Sequence, residues 1–172
     1  VTTEDIAGNT STSSEYTVRI DTVKPAVGKL VFKKNNSTGP IYNLNEWTGT
    51  DVYVEKQDGT DNESGHYKTS YNILSLTGGS FQTATGVTDP TTLIEHGQYY
   101  LLLTTEDNAG NVSTQIYSSV LIDKKAPTIE LGEWSDPIKG SDGKIHRTIT
   151  IYYSDIGSGL ARKYYLSNSL SD

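Results

Sequence analysis

The sequence predicts an all-β chain: a string of β-sandwiches of about 100 residues each, joined end to end by short proline-containing linkers. Three observations predict it. Residues 3–21 (TEDIAGNTSTSSEYTVRID) recur as residues 105–123 (TEDNAGNVSTQIYSSVLID), with 11 of 19 positions identical and no gap. The offset is 102 residues, and Pro25 and Pro127 keep it. A period that long suits whole domains rather than solenoid turns. The composition leans the same way: 12 Tyr and 16 Gly accompany abundant Thr and Ser, and Tyr, Thr, Val and Ile favour half-buried pleated surfaces. Finally, short alternating segments are separated by turn signals every 8–12 residues or so, the pattern of a seven-stranded sandwich, with no sustained helical period.

On this reading the chain holds residues 1–23 as the closing hairpin of one module, 24–125 as a complete module, and 126–172 as the start of another. The 19-residue echo places a hairpin at each copy, turning at Asp107-Asn108-Ala109-Gly110-Asn111, residues that bond their own backbone or accept positive φ. A hairpin alone buries no core, so residues 1–23 imply preceding strands. We therefore expect the chain to be part of a longer protein.

Within 24–125, Lys29–Lys33 is expected as the opening strand and Asp51–Lys56 as the second, with Val52 and Val54 inward. His66–Leu74 follows as the third, carrying Tyr67, Ser70 and Tyr71. One or two strands fit between Ser80 and Ile94, interrupted by Asp89-Pro90, and Gly78-Gly79 reads as a tight turn. The clearest alternation is Tyr99-Tyr100-Leu101-Leu102-Leu103-Thr104-Thr105, which puts Tyr99, Leu101, Leu103 and Thr105 on one face. The return strand runs from Val112 to Asp123 with Val120 and Ile122 on one face. Gly97-Gln98-Tyr99 matches the tyrosine corner of sandwich domains. In 126–172, strands are expected at Thr128–Leu131, Arg147–Tyr153 and Leu160–Tyr165. Asp155-Ile156-Gly157-Ser158-Gly159 occupies the loop position of Asp61-Asn62-Glu63-Ser64-Gly65.

Gly97-x-Tyr99, Asp107-x-Ala109-Gly110-Asn111, Ile122-Asp123 and Ala126-Pro127-Thr128, with Trp47 ahead of Asp51-Val52-Tyr53-Val54, resemble the immunoglobulin-like repeats of large bacterial surface proteins. The resemblance spans essentially the whole chain. It implies an extracellular spacer or binding module, at the bacterial cell surface or secreted, and no activity. One departure stands out: Glu130–His146 aligns poorly with Gly28–Thr50, so Trp134 is not the counterpart of Trp47. Such surface modules sometimes carry Lys–Asn crosslinks, but the sequence places no such pair beside a buried acid.

The formal net charge of −7 argues against phosphate-neutralising contact with nucleic acid and against docking on anionic lipid. No transmembrane run occurs. With 0 Cys there is no disulfide, thiolate metal site or cysteine nucleophile. The histidines His66, His96 and His146 sit in no hydrolase or metalloprotease motif, and no phosphate-binding glycine loop is present. We expect no enzymatic activity.

Acidic residues suggest a different chemistry. Asp61 and Glu63 lie in one loop, and Asp107 and Asn108 in another at the same end of the expected sandwich. The incoming connector brings Asp21 past that end. Calcium takes six to eight oxygens, so Asp21, Asp61, Glu63, Asp107 and Asn108 form a candidate junction site for Ca2+. Asp123 and Asp155 supply the ingredients of a second. The plain alternative is that these are turn residues capping their own backbone, and the D-x-D-x-D-G spacing of a dedicated calcium loop is absent. Either way, the prolines restrict the connectors and favour an extended rod.

The leading functional expectation is a structural spacer of an exported bacterial surface protein or fibre, whose partners are its neighbouring modules. The alternative is an adhesive or glycan-binding module, either an adhesin segment or the accessory domain of a secreted hydrolase, meeting a host or cell-surface glycan or protein. Trp47, Trp134, outward Tyr100 and Tyr152 or Tyr153 are the stacking candidates, although a packing role in or over the core is the ordinary expectation for them. Sequons starting at Asn9, Asn35, Asn36, Asn62 and Asn111 reflect a Thr/Ser-rich surface.

Overall fold

A computed structural model describes residues 1–77 and 80–160. The Gly78-Gly79 turn lies outside the described residues, as does the strand expected at Leu160–Tyr165 beyond its first residue. Among the described residues there is no helix, and none therefore long and apolar enough to cross a membrane.

The chain opens with a small hairpin, β1 (Thr2–Glu4) and β2 (Thr10–Thr12). Two sheets follow. One orders β3 (Lys29–Lys34), β5 (Val52–Gln57) and β8 (Thr91–Leu93). The other orders β4 (Trp47–Thr48), β10 (Val112–Ile122), β9 (Gly97–Asp107), β6 (His66–Thr77) and β7 (Ser80–Ala84). The inner faces meet in one core. Leu30, Phe32, Val52, Val54 and Leu93 come from the first sheet, and Tyr71, Ile73, Tyr99, Leu101, Leu103, Val120 and Ile122 from the second.

The period-two reading of β9 holds: Tyr99, Leu101, Leu103 and Thr105 are buried, as are Val52 and Val54 in β5 and Val120 and Ile122 in β10. These residues alternate because successive side chains of a strand point to opposite faces. The tyrosine corner is present, with the Tyr99 hydroxyl donating to the Glu95 carbonyl at 2.8 Å. Toward the incoming end the inward row turns polar. Thr105 Oγ1 accepts the Gly28 amide and Thr69 Oγ1 accepts the Gly59 amide, each at 3.1 Å. Buried backbone donors at the sandwich edge thus find partners without water.

Three elements differ from the sequence reading. Residues Trp47–Thr48 form a strand, β4, parallel to the end of β10. Two residues carry no periodicity, so only the fold could reveal the pairing. Beyond residue 126, β11 (Thr128–Trp134) and β14 (Ile149–Ser154) cover the strands expected at Thr128–Leu131 and Arg147–Tyr153 and pair with each other, but an extra hairpin of β12 (Ile138–Lys139) and β13 (Ile145–His146) lies between them. That hairpin occupies the stretch that aligns poorly with Gly28–Thr50. Lastly, the indoles do not fill the core: Trp47 and Trp134 are 41% and 61% exposed.

Candidate functional site

The incoming connector begins at Asp21, which lies against the loop between β5 and β6. Its Oδ1 accepts the amide of Val23 at 2.9 Å, and its Oδ2 accepts the amide of Ser64 at 3.0 Å. The loop is shaped by Asp61, whose Oδ1 accepts the amides of Glu63 and Gly65 at 3.0 and 2.8 Å. Gly65 sits at φ +89°, a left-handed conformation that aims the loop's amides inward and that glycine adopts without penalty. The turn between β9 and β10 completes the site. Asp107, buried at the end of β9, accepts the amides of Ala109 and Asn111 at 2.9 Å each through Oδ1. Asn111 Nδ2 donates to Asp107 Oδ2 and reaches the Asp21 carbonyl at 3.3 Å.

Of the residues singled out in the sequence, Asp21, Asp61 and Asp107 are brought together: one carboxylate oxygen from each lies within 4.8 Å of the other two. Glu63 joins at the rim through a hydrogen bond to Asp21. Asn108 takes a different role. Its Nδ2 donates to the Ser64 carbonyl at 2.9 Å and its amide to the Gly65 carbonyl, also at 2.9 Å, tying the two loops together.

The electrostatics follow from these partners. Hydrogen bonds from Ser64 and then the Val23 amide hold Asp21 below the usual carboxylate range. Burial opposes ionisation of Asp107, but the Asn111 side chain and the turn amides outweigh it and its pKa is lowered. Glu63 is the one pushed up, by desolvation first and then by the charge of Asp21. Asp21 and Asp107 are thus shifted toward the charged form and Glu63 toward the protonated one.

The donor set suits a hard cation. All three side chains offer oxygen, and ligand atoms facing each other across one calcium ion stand about 5 Å apart. The same carboxylates are also satisfied by backbone amides, so the geometry serves a direct joint as well as an ion-filled one.

The second candidate site repeats the skeleton. Asp123 Oδ1 accepts the Lys125 amide at 3.0 Å and Oδ2 accepts the Ser158 amide at 2.6 Å. Asp155 Oδ1 accepts the amides of Gly157 and Gly159 at 3.0 and 2.8 Å. Asp123 is held down to about 2, foremost by the Ser158 amide. Sequence reasoning missed two contacts here. His96 Nδ1 lies 3.2 Å from Asp123 Oδ1, close enough for an ion pair but without hydrogen-bond alignment. The Lys124 ammonium also pairs with Asp51 and donates to the Ile94 carbonyl at 2.6 Å. The signal for both was available in strand register: Gly97 faces Ile122 in the ladder, so the residues just outside it meet.

Elsewhere the described surface offers a shallow apolar concavity on the outer face of the larger sheet, of about 270 Å³, lined by Leu74, Tyr100, Leu102 and Ile116 among others. Compared with protein-family models, curated proteins and solved structures, the chain finds no match.

Proposed function

We propose that this chain is a piece of a stalk: tandem immunoglobulin-like modules of an exported bacterial surface protein, held end to end so that the distance spanned grows with the number of modules. The observation that carries this reading is the duplicated joint. At two places 102 residues apart, a connector aspartate (Asp21, Asp123) accepts the amide of the serine in a following Asp-x-x-Ser-Gly loop (Ser64, Ser158). A freely swinging linker has no need of such a fixed bond. The short connectors, with Pro25 and Pro127 restricting the backbone on their own and the preceding residue, support the same reading.

The joint works by addressing main-chain donors, and calcium is the proposed reinforcement at Asp21, Asp61 and Asp107. Small-angle scattering and thermal melting of the 172-residue chain, with calcium and with chelator, test both parts. A stiff elongated particle that loosens in Asp21→Ala supports the stalk, whereas a broad ensemble of orientations in the unaltered chain overturns it. Stiffening and a raised melting temperature with calcium assign the ion to the joint; identical behaviour in chelator assigns it to direct hydrogen bonds.

A second reading, an adhesive or glycan-binding module, is favoured by the exposed Trp47 and Trp134 and by the apolar concavity beside Tyr100. Saccharide-induced quenching of the indole fluorescence would support it.

A further inference from the structure

We propose that Asn36 is an acceptor site for asparagine-linked glycosylation, taking a sugar activated as a glycosyl diphosphate. The proposal goes beyond the stalk reading and does not depend on it. Five asparagines of the chain begin an Asn-x-Ser/Thr sequon, and the folded structure separates them. At Asn9 the carboxamide is engaged by Asp5, its Nδ2 donating to Oδ2 at 2.8 Å. At Asn111, Nδ2 donates to Asp107 Oδ2 at 2.9 Å and reaches the Asp21 carbonyl. The hydroxyl of its third residue, Ser113, donates to the Pro25 carbonyl at 2.7 Å. Asn62 has Ser64 as its third residue, and the Ser64 amide belongs to the joint with Asp21. Asn35 stands at φ +68°, and among the described residues no hydrogen bond links its side chain to Ser37.

Asn36 is the sequon asparagine whose third residue folds back on it. Its Oδ1 accepts the Thr38 amide at 3.0 Å and the Thr38 hydroxyl at 2.9 Å. Asn36, Ser37 and Thr38 are all exposed, and among the described residues nothing engages the Asn36 Nδ2. The loop that presents it is short and closed. The Gly39 amide donates to the Asn36 carbonyl at 3.1 Å, and the Lys34 amide donates to the Pro40 carbonyl at 2.8 Å. The Lys33 ammonium donates to the Ser37 carbonyl at 2.6 Å. A β-carbon at Gly39 would overlap the Lys34 carbonyl oxygen, so the turn closes this tightly only around glycine.

The chemistry explains why that geometry matters. A carboxamide nitrogen is a weak nucleophile because its lone pair is delocalised into the carbonyl. Two donors on Oδ1 stabilise negative charge there and make the Nδ2 proton easier to remove. In the transfer, a bond forms between Nδ2 and the anomeric carbon, and the bond from that carbon to the diphosphate oxygen breaks. The electron pair leaves with the diphosphate, and the Nδ2 proton passes to a base of the transferase. The Asn35 amide donates to the Asp51 carbonyl at 2.8 Å and the Asp51 carboxylate pairs with Lys124, so the loop lies at the outgoing end of the module. A glycan on Asn36 would stand beside the second connector.

The test offers the folded 172-residue chain to two asparagine glycosyltransferases in separate arms. One uses a nucleotide diphosphate glucose, and the other an oligosaccharide on a polyprenyl diphosphate. Occupancy is read by mass mapping of peptides, and the productive arm identifies the donor. The expected result is modification of Asn36 at least about tenfold ahead of Asn9, Asn35, Asn62 and Asn111, the scale on which positioning selects among like groups. Gly39→Ala keeps the sequon but opens the turn, and should lower occupancy at Asn36 at an unchanged melting temperature. Thr38→Val removes the hydroxyl donor and should abolish modification there, whereas Thr38→Ser should retain it. An unmodified Asn36 in both arms overturns the proposal. So does equal occupancy at all the sequons, or a Gly39→Ala chain modified as readily as the unaltered one. A flexible joint in scattering would remove the stalk reading while leaving this comparison of sites intact.

Discussion

The joints at Asp21 and Asp123 share a skeleton and differ at two loop positions, Asn62 against Ile156 and Glu63 against Gly157. In each, a connector carboxylate accepts the amide two residues on and the amide of a loop serine. In each, a loop aspartate accepts two amides of its own turn, and the closing glycine has positive φ, +89° at Gly65 and +80° at Gly159. Between aspartate and serine, however, the first loop carries Glu63 and the second Gly157. A β-carbon on Gly157 would stand 2.3 Å from Asp123 Oδ2. The second connector therefore sits tighter on its loop, and Asp123 is drawn to about 2, foremost by the Ser158 amide, while Asp21 is lowered by the same kind of bond. Common hydrogen bonds fix which partners meet, and the middle residue of the loop sets how closely.

Breaking that closeness should give the largest effect. Gly157→Glu imports the first joint's residue into the second, at an overpacking cost of about 1–3 kcal/mol against about 1 kcal/mol for the hydrogen bond it crowds. The Asp123–Ser158 bond should open, read as lost amide protection at Ser158 with Ser64 unaffected. Unchanged protection would mean that the tighter fit of the second joint has no consequence.

Removing each connector carboxylate compares the joints directly. Asp21→Ala and Asp123→Ala should each speed hydrogen exchange at their own serine amide about tenfold, the scale of one lost bond to a charged acceptor. Equal and simultaneous loss at both serines in either variant would show that the joints open as one unit.

Acid should separate them next. Asp123 has its pKa depressed, so its contribution is fully present above the unfolded value of 3.8 and is lost as pH falls toward 2. Asp21 shares that sign, but Glu63 has the opposite one. Its raised pKa makes a contribution present below its unfolded value of 4.5 and lost as pH rises. The first joint therefore feels acid earlier, as Glu63 takes up its proton beside Asp21, whereas the second is disturbed only as pH falls toward 2. Amide shifts in an acid titration should begin around Ser64 and reach Ser158 last; the reverse order would refute the assignment.

The smallest expected change is Glu63→Gln. It keeps a hydrogen-bond donor toward Asp21 and removes the repulsion with Asp21 and Asp61, so at neutral pH it should raise the melting temperature slightly. A fall would mean that the Glu63 charge is needed, as it would be with a cation bound.

Much of this was legible in the sequence for a definite reason. The all-β class and the inward rows of β9 and β10 follow from local period, a property of neighbouring residues, whereas the meeting of Asp21, Asp61 and Asp107 was expected from where the two loops and the connector fall in a sandwich. The contacts that knit the incoming segment to β10 were not legible. Tyr42 to Leu121 and Leu30 to Tyr117 are side-chain hydrogen bonds across 79 and 87 residues, and no local pattern distinguishes those tyrosines from core fillers. The exposed indoles were misread for a related cause. An aromatic ring in a half-buried strand suits either face, and only the register of Trp47 against Leu121 places it at the sheet edge.

The serine contacts at the joints are made through backbone amides. Because every residue but proline owns such an amide, the coupling asks little of the neighbouring side chains beyond the aspartate and the glycine that bends the loop. On the stalk reading proposed above, a unit ending in Ile-Asp would dock on a successor whose loop follows the Asp-x-x-Ser-Gly pattern, and units gained or lost would leave that coupling matched.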